Sequence, residues 1–196
     1  AYVRRYAWPA RLPIRTWKAH DDSLLGMALS SDGKWLATAG GDKLAHCWNT
    51  ESDQLQATYE GHTNQVVAVV WDPLKPRLAT SGADRELKVW DRESREQDAV
   101  LGDKKQVFSA LAWSRDGAQL AALTDAGNGS LFSAIQKHTG DQRSNTATEK
   151  KLQKVDANLQ SVAFFPDGSH VIGGACDGRF FVWKTADGKL VLPVTP

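Results

Sequence analysis

The sequence predicts an all-β protein that is assembled from repeated four-stranded units. Three observations support this fold class: an internal repeat of 42 residues, short strand-like segments in each copy, and turn residues between those segments. The composition, with 41% hydrophobic residues and a formal net charge of +1 over 196 residues, is that of a folded globular chain and excludes general disorder. No run approaches 18 consecutive apolar residues, so we expect no membrane-spanning helix.

The repeat is visible as matching residues at a fixed separation. Four pairs lie 42 positions apart: His20 and His62, Thr38 and Thr80, Asp42 and Asp84, and Trp48 and Trp90. A third copy continues the period, because Trp113 follows Trp71 by 42 positions. In the fourth copy Phe164 follows Trp113 by 51 positions, so the third copy carries nine extra residues.

Each copy contains segments with the composition of β-strands. In the second copy, residues 68–71, 77–82 and 86–90 are rich in β-branched and aromatic residues and are only four to six residues long. Asp-Gly pairs stand between the first and second segments of the other copies, where a tight hairpin needs a positive φ; they are Asp32-Gly33, Asp116-Gly117 and Asp167-Gly168. These segments are therefore predicted to be consecutive antiparallel strands.

The marked residues resemble the WD40 repeat. Gly61-His62 opens one copy and Trp90-Asp91 closes its third segment, with Asp84 six positions before that Trp. The same spacing of six separates Asp42 from Trp48 and Asp177 from Trp183. The resemblance covers nearly the whole chain and implies a β-propeller, in which four-stranded blades surround a central channel.

We expect a partial ring of four full blades and half a blade, as part of a seven- or eight-bladed propeller. The missing strands would come from an upstream part of the chain or from another subunit. Because Trp8 precedes His20 by nearly the same interval that separates Trp48 from His62, residues 2–8 and 12–17 are interpreted as the last two strands of an earlier blade. The expected units are 1–19 (half blade), 20–61, 62–103, 104–154 (degenerate, with the insertion) and 155–196.

The resemblance also implies a buried hydrogen-bond network of a His, a Thr, an Asp and a Trp within a blade. The matching residues are His20, Thr38, Asp42 and Trp48; His62, Thr80, Asp84 and Trp90; and, in the fourth blade, Asp177 and Trp183 alone. The third copy has Lys104, Ala122, Ala126 and Phe132 at these positions and should form no polar network. A hydrolase triad is the alternative, but the set recurs in two blades and lacks an exposed nucleophile elbow. We therefore expect no catalysis.

Other chemical signals are weak. The five His residues show no chelating spacing, and no Walker or G-x-G-x-x-G sequence occurs, so we expect neither a metal nor a cofactor. The polar insertion at 133–151 is interpreted as a mobile loop or, alternatively, as a partner-contacting extension. The two cysteines are far apart and are not expected to pair, which favours a reducing, cytoplasmic location.

The resemblance implies a non-catalytic scaffold that binds proteins or peptides, in many members on the narrow face around the channel. The matching positions here, which lack aromatic residues and Arg, are Ser23, Leu25, Gln65, Val67, Asp125, Asn158 and Gln160, with Gly41, Ala83, Val107, Ser109 and Cys176 beside them. One alternative is a regulatory domain fused to an enzyme. Another is nucleic-acid binding through Arg4, Arg5, Arg11, Arg15 and Lys18, although the remaining chain is not basic and nucleic acid is therefore not the expected partner.

Overall fold

The structure is a computed structural model that describes residues 1–136 and 147–194. Within this part of the chain every regular element is a β-strand, and no helix that could span a membrane is present there. The strands are β1 (Tyr2–Tyr6), β2 (Pro13–Lys18), β3 (Leu24–Leu29), β4 (Trp35–Gly40), β5 (Ala45–Asn49), β6 (Leu55–Tyr59), β7 (Val66–Trp71), β8 (Arg77–Gly82), β9 (Leu87–Asp91), β10 (Gln97–Leu101), β11 (Ala110–Trp113), β12 (Gln119–Leu123), β13 (Gly129–Ser133), β14 (Thr148–Leu152), β15 (Leu159–Phe164), β16 (His170–Ala175), β17 (Phe180–Lys184) and β18 (Leu190–Val194).

The strands form four antiparallel sheets of four strands and one sheet of two. Blade 1 consists of β3–β6, blade 2 of β7–β10, blade 3 of β11–β14 and blade 4 of β15–β18, and β1 pairs with β2. Within each sheet every strand pairs with its neighbour along the chain. The predicted all-β fold of four blades and half a blade is confirmed.

Two kinds of turn recur at fixed places in the blades. Between the first and second strands, Gly33, Gly117 and Gly168 have φ values of 71°, 64° and 70°, as the Asp-Gly pairs predict. Between the second and third strands, Lys43 and Arg85 also adopt positive φ, of 73° and 67°. The later blades have Gly127 and Gly178 at this position, with φ values of 76° and 87°, which glycine adopts without a steric cost.

The core lies between successive blades. We call the side of a blade that meets the following blade its back face, and the opposite side its front face. The back face of blade 1 presents small side chains, including Ala37 and Ala39, and packs against Val69 and Trp71 on the front face of blade 2. Similar clusters join blade 2 to blade 3 and blade 3 to blade 4. The repeat thus stacks sheets and leaves each blade dependent on its neighbours.

Strand β1 of the half blade ends two residues earlier than the sequence predicts. Strand β1 ends at Tyr6, and Trp8 lies in the following turn with 81% of its surface exposed. In the register Tyr6 is opposite Pro13, as Trp48 is opposite Leu55 in blade 1. Tyr6 therefore occupies the place of the blade Trp, and the assignment of Trp8 to that strand is wrong.

The nine-residue insertion lies between β13 and β14. Its first residues are packed, because Ile135 is buried and its carbonyl oxygen accepts a 3.0 Å hydrogen bond from Nη1 of Arg77 in blade 2. Thr148, near its end, already belongs to β14. The prediction of a mobile or partner-contacting loop concerns mainly residues 137–146, which lie outside the described residues.

Candidate functional site

In blade 1 the structure brings together the four predicted network residues. Trp48 on β5 donates its indole N–H to Oγ1 of Thr38 on β4, at 3.0 Å. The same hydroxyl lies 2.9 Å from Nε2 of His20, which precedes β3. Nδ1 of that histidine is 2.9 Å from Oδ1 of Asp42, in the turn after β4. The set therefore connects the loop before the blade, two strands and one turn.

Blade 2 repeats this geometry. Trp90 donates to Oγ1 of Thr80 at 2.8 Å, and this oxygen lies 2.8 Å from Nε2 of His62. Nδ1 of His62 is 2.9 Å from Oδ2 of Asp84. The 42-residue period of the sequence is thus a period of side-chain contacts as well as of strands.

The donors and acceptors indicate the direction of the hydrogen bonds in these networks. An ionised Asp can only accept, so it receives the proton on Nδ1; when the ring is neutral, Nε2 accepts from the Thr hydroxyl, which in turn accepts from Trp. Burial lowers the pKa of His62 more than Asp84 raises it, which favours this neutral form. All four side chains are then satisfied without a buried net positive charge.

The carboxylates also hold the backbone of the turns. Oδ2 of Asp42 accepts from the N–H of Asp21 at 3.0 Å, and Oδ1 accepts from the N–H of Leu44 at 3.2 Å. Burial alone would raise the pKa of Asp42, but these backbone donors and His20 together hold it below its ordinary value. Asp84 accepts from the equivalent N–H groups of Thr63 and Glu86.

The burial of the two hydroxyls limits what these sets can do chemically. Thr38 and Thr80 have no exposed surface. A nucleophile must reach the substrate, and each of these hydroxyls is already enclosed by its His and Trp partners. The geometry supports a role in holding the blade together and gives no support to hydrolysis.

In blade 4 the two remaining members do not form a network. Trp183 donates its indole N–H to the carbonyl oxygen of Gln153 at 2.8 Å. Asp177 instead accepts from Nε of Arg179 at 2.7 Å, on the surface. Without a His and a Thr between them, the Asp and the Trp have no shared partner, so the sequence-based network at Asp177 and Trp183 is wrong.

Blade 3 replaces the network with apolar packing and an ion pair between blades. Phe132 packs edge-on against Phe108, with ring centroids 6.1 Å apart. Lys104, which stands in the place of the network His, forms an ion pair with Glu86 of blade 2. Lys88 contacts the same carboxylate at 2.7 Å. Burial alone would raise the pKa of Glu86, but the two lysines lower it to about 2.

His46 is a buried titratable residue that the sequence analysis did not associate with the network. Its ring lies 4.6 Å from that of His20, and its Nδ1 is 3.0 Å from Oγ1 of Thr58. Burial, and to a lesser extent His20, lowers the pKa of His46 to about 4. His46 lies directly opposite Thr38 in the strand pairing, so the strand register was the signal that could have identified it.

Metal-ligating atoms of His20, Asp42 and His46 lie within 4.8 Å of one another. Both ring nitrogens of His20 and both carboxylate oxygens of Asp42 are already in hydrogen bonds. A metal ion would have to break the Trp–Thr–His–Asp chain to bind there. We therefore interpret these three residues as a hydrogen-bonded cluster.

The predicted narrow-face residues lie at the start of the first strand or in the turn after the second. In three blades the backbone joins these two places: Gly41 donates to Ser23 at 2.8 Å, Ala83 to Gln65 at 2.8 Å, and Cys176 to Asn158 at 3.0 Å. Most of the predicted side chains are exposed, namely Ser23, Leu25, Gln65, Asp125, Asn158 and Gln160, whereas Val67 is half-buried. The amide of Gln160 donates to Asn158.

The basic arm is tied to blade 1 and to its own neighbours. Arg5 lies 2.7 Å from the buried carboxylate of Asp53, and Arg15 donates to the carbonyl oxygen of Ser52 at 3.0 Å. Lys18 pairs with Asp21 at 2.6 Å. Because these basic side chains already contact carboxylate or carbonyl oxygens, they are less available to bind phosphates. The geometry therefore does not favour nucleic-acid binding.

Sheets that follow one another as blades, with a His–Thr–Asp–Trp chain inside two of them, define a protein of the β-propeller class. A family model described as "WD domain, G-beta repeat" matches residues 11–49, 53–91 and 150–184, which together are more than half of the chain. The chain belongs to the WD40 repeat family. The matched stretches leave out residues 92–149, where most of blade 3 and its apolar substitutions lie.

Three relatives illustrate what the chain is similar to. It is 29% identical to the target of rapamycin complex subunit wat1 of Schizosaccharomyces pombe, over 93% of this chain and 57% of the relative. It is 25% identical to the WD repeat-containing protein slp1 of the same organism, over 93% of this chain and 37% of the relative. It is 33% identical to the APC/C activator protein CDC20 of Saccharomyces cerevisiae, over 32% of this chain and 10% of the relative. The chain thus spans little more than half the length of wat1 and less of the other two.

Proposed function

We propose that this protein is a non-catalytic scaffold that binds a protein or peptide partner on the narrow face. The main support for the proposal is that one set of polar residues is buried and another set is exposed on the narrow face. The Thr hydroxyls and His imidazoles of the two networks are buried within blades 1 and 2, whereas exposed polar side chains recur at the narrow-face positions. Relatives named as a subunit of one complex and an activator of another support a role within a protein assembly.

The chemistry of the narrow face indicates the kind of contact it makes. Gln65, Asp125 and Gln160 offer exposed hydrogen-bonding groups, and Lys43 and Arg85 add positive charge in two adjacent turns. Exposed aromatic anchors are absent from the described narrow-face positions. We therefore expect polar contacts from this side, with the apolar anchor supplied by the partner.

A triple variant tests the proposal. Gln65→Ala, Asp125→Ala and Gln160→Ala are introduced together into the protein in its natural source, and the co-purified partners are quantified by mass spectrometry. The control variant combines Glu51→Ala, Lys75→Ala and Arg115→Ala, which are exposed residues in turns at the opposite strand ends. We expect the first variant to lose at least one partner by tenfold or more while the control retains it.

If both variants retain the same partners, the narrow face is not the binding site. Circular dichroism and the melting temperature of each variant show whether a loss of binding reflects a loss of fold. The cytoplasmic location stays a prediction. Fractionation of the same source material tests it.

A further inference from the structure

Blade 3 and the loop before it carry three exposed lysines that break the repeat. Lys104 and Lys105 lie in the loop between blades 2 and 3, and Lys151 lies near the end of β14, the outer strand of blade 3. By the 42-residue period and the strand pairing, the equivalent residues are His20, Asp21 and Thr58 in blade 1 and His62, Thr63 and Val100 in blade 2. We call the three lysines the lysine rim. The repeat does not account for them, because neither earlier blade has a lysine or an arginine at these places.

Acidic residues between the lysines join them into one surface. Lys104 forms an ion pair with Glu86, and Nζ of Lys105 lies 3.5 Å from Oδ2 of Asp103. Burial alone would raise the pKa of Asp103, but the backbone N–H of Lys105 and the nearby charges of Lys151 and Lys105 lower it. The ammonium groups of Lys105 and Lys151 are therefore both close to one carboxylate, although they belong to different elements of the fold.

The cations of this surface are more exposed than the anions. The side chains of Lys104, Lys105 and Lys151 are 59%, 80% and 52% exposed, whereas those of their carboxylate partners Glu86, Asp103 and Glu149 are 18%, 38% and 22% exposed. A molecule that approaches from solvent therefore meets ammonium groups first. The lysine rim presents positive charge outwards even though the carboxylates beneath it are equal in number.

We propose that the lysine rim binds a short acidic segment of a protein partner, whose Asp and Glu carboxylates pair with Lys104, Lys105 and Lys151. A lysine ammonium group on its flexible stem pairs with a separate carboxylate without a fixed geometry. Each exposed pair contributes little on its own and is screened by salt. The segment should therefore carry several acidic residues, and its affinity should fall as the salt concentration rises.

The carboxylates within the surface favour a peptide over a nucleic acid. Asp103, close to both Lys105 and Lys151, would repel the phosphates of a polyanion that runs across the rim. A peptide can alternate acidic and neutral side chains and so place its carboxylates beside the lysines alone. The formal net charge of the chain is only +1, which provides no general attraction for a polyanion.

The first experiment measures binding of a fluorescein-labelled peptide of consecutive glutamates by fluorescence anisotropy at low salt. The rim variant combines Lys104→Gln, Lys105→Gln and Lys151→Gln, which removes three charges and keeps long polar side chains. The control variant combines Lys34→Gln, Lys75→Gln and Lys189→Gln, exposed lysines in turns at the opposite strand ends. We expect the rim variant to bind at least about fivefold more weakly than the parent chain, and the control to stay within about twofold of it.

Equal losses in the two variants would overturn the proposal, because the peptide would then respond to net charge alone. A single-stranded oligonucleotide of equal charge is the second probe. If it binds the parent chain more tightly than the peptide does and loses this affinity in the rim variant, the rim is a nucleic-acid site and the assignment to an acidic peptide is wrong.

The second experiment uses the unaltered protein in an extract of its natural source, so it does not depend on how the variants fold. A water-soluble carbodiimide joins lysine amines directly to carboxylates in contact with them, and mass spectrometry identifies the joined peptides. We expect a rim lysine joined to an Asp or Glu within an acidic segment of another protein. Cross-links from the rim only to Glu86, Asp103 and Glu149 of the same chain would overturn the proposal. The narrow-face variants keep all three lysines, so the two proposals succeed or fail separately.

Discussion

The indole Nε1 of Trp90 lies 2.8 Å from Oγ1 of Thr80, on the neighbouring strand, and this one hydroxyl is also 2.8 Å from Nε2 of His62. Because Trp90 can only donate, the hydroxyl accepts its hydrogen bond and can donate its own proton to the neutral imidazole. The imidazole in turn directs its Nδ1 proton at Asp84. Removal of one member should therefore affect the whole chain of hydrogen bonds.

Substitution of Asp84 tests this dependence. Asp84→Ala removes the acceptor for Nδ1 of His62 and for the backbone N–H groups of Thr63 and Glu86. A buried donor without an acceptor costs about 1–3 kcal/mol. At roughly 2–4 °C per kcal/mol for a chain of this size, we expect the melting temperature to fall by several degrees. Differential scanning calorimetry measures the change.

Asp177→Ala is the matched control, since Asp177 has the same place in blade 4 but lies on the surface beside Arg179. Its effect should stay within about 0.5 kcal/mol, as is usual for surface substitutions. Equal effects of the two substitutions would refute the role assigned to Asp84.

We predict that the lowered pKa of His46 makes the protein less stable in mild acid. Because burial lowers its folded pKa to about 4 from an ordinary value of 6.5, the unfolded chain binds a proton first as the pH falls. The free energy of unfolding should therefore decrease between pH 6.5 and 4, by about 3 kcal/mol at most. Urea unfolding at a series of pH values measures this slope. The lowered folded pKa of His62 acts in the same direction.

His46→Gln separates this contribution from the others. The variant should have a shallower slope between pH 6.5 and 4 than the parent chain. Asp42 does not confound the comparison, because its pKa is lowered and its contribution is lost only below about pH 4. An unchanged slope in the variant would show that His46 is not the group that titrates.

The sequence was sufficient to predict the strands and the networks of blades 1 and 2, because both are encoded as residues at one period. Two local assignments were wrong, because the sequence does not show which residue each side chain contacts in the folded chain. Residue type favours Trp8 as the blade Trp, although Tyr6 precedes His20 by the same interval that separates Trp48 from His62. The indole of Trp183 bonds to the backbone of Gln153, a contact that no side-chain pattern encodes.

We predict that loss of the Glu86 carboxylate destabilises the protein more than loss of Lys104, one of its two lysine partners. Lys88 is buried and is also 2.9 Å from Oε1 of Gln97, whereas Lys104 is exposed. Glu86→Gln leaves the buried cation without its counter-ion and should destabilise the protein by about 1–3 kcal/mol. Lys104→Ala should cost less than about 1 kcal/mol, as an exposed ion pair does. Chemical denaturation of both variants at pH 7 measures the difference, and a larger effect at Lys104 would contradict it.

Glu86 also contributes a second, separate acid dependence. Its folded pKa of about 2 lies below the ordinary value of 4.5, so its stabilisation is present above pH 4.5 and is lost as the pH falls towards 2. Most of this range lies below that of His46. Glu86→Gln should therefore flatten the stability profile below pH 4.5 and leave the slope between pH 6.5 and 4.5 unchanged.

We expect substitution of Arg77 to cause the largest loss of stability among these variants. Its Nε lies 2.7 Å from Oδ2 of the fully buried Asp72, and its guanidinium lies 4.7 Å from the ring centroid of Trp113 in blade 3. Arg77→Met keeps most of the side-chain volume but leaves the carboxylate without a counter-charge, which costs about 3–5 kcal/mol in a buried pair. Arg179→Met removes a surface ion pair with Asp177 and should cost at most about 1 kcal/mol. Denaturant unfolding of the two variants measures both losses. If Arg77→Met costs no more than its control, the link between blades 2 and 3 does not depend on this charge.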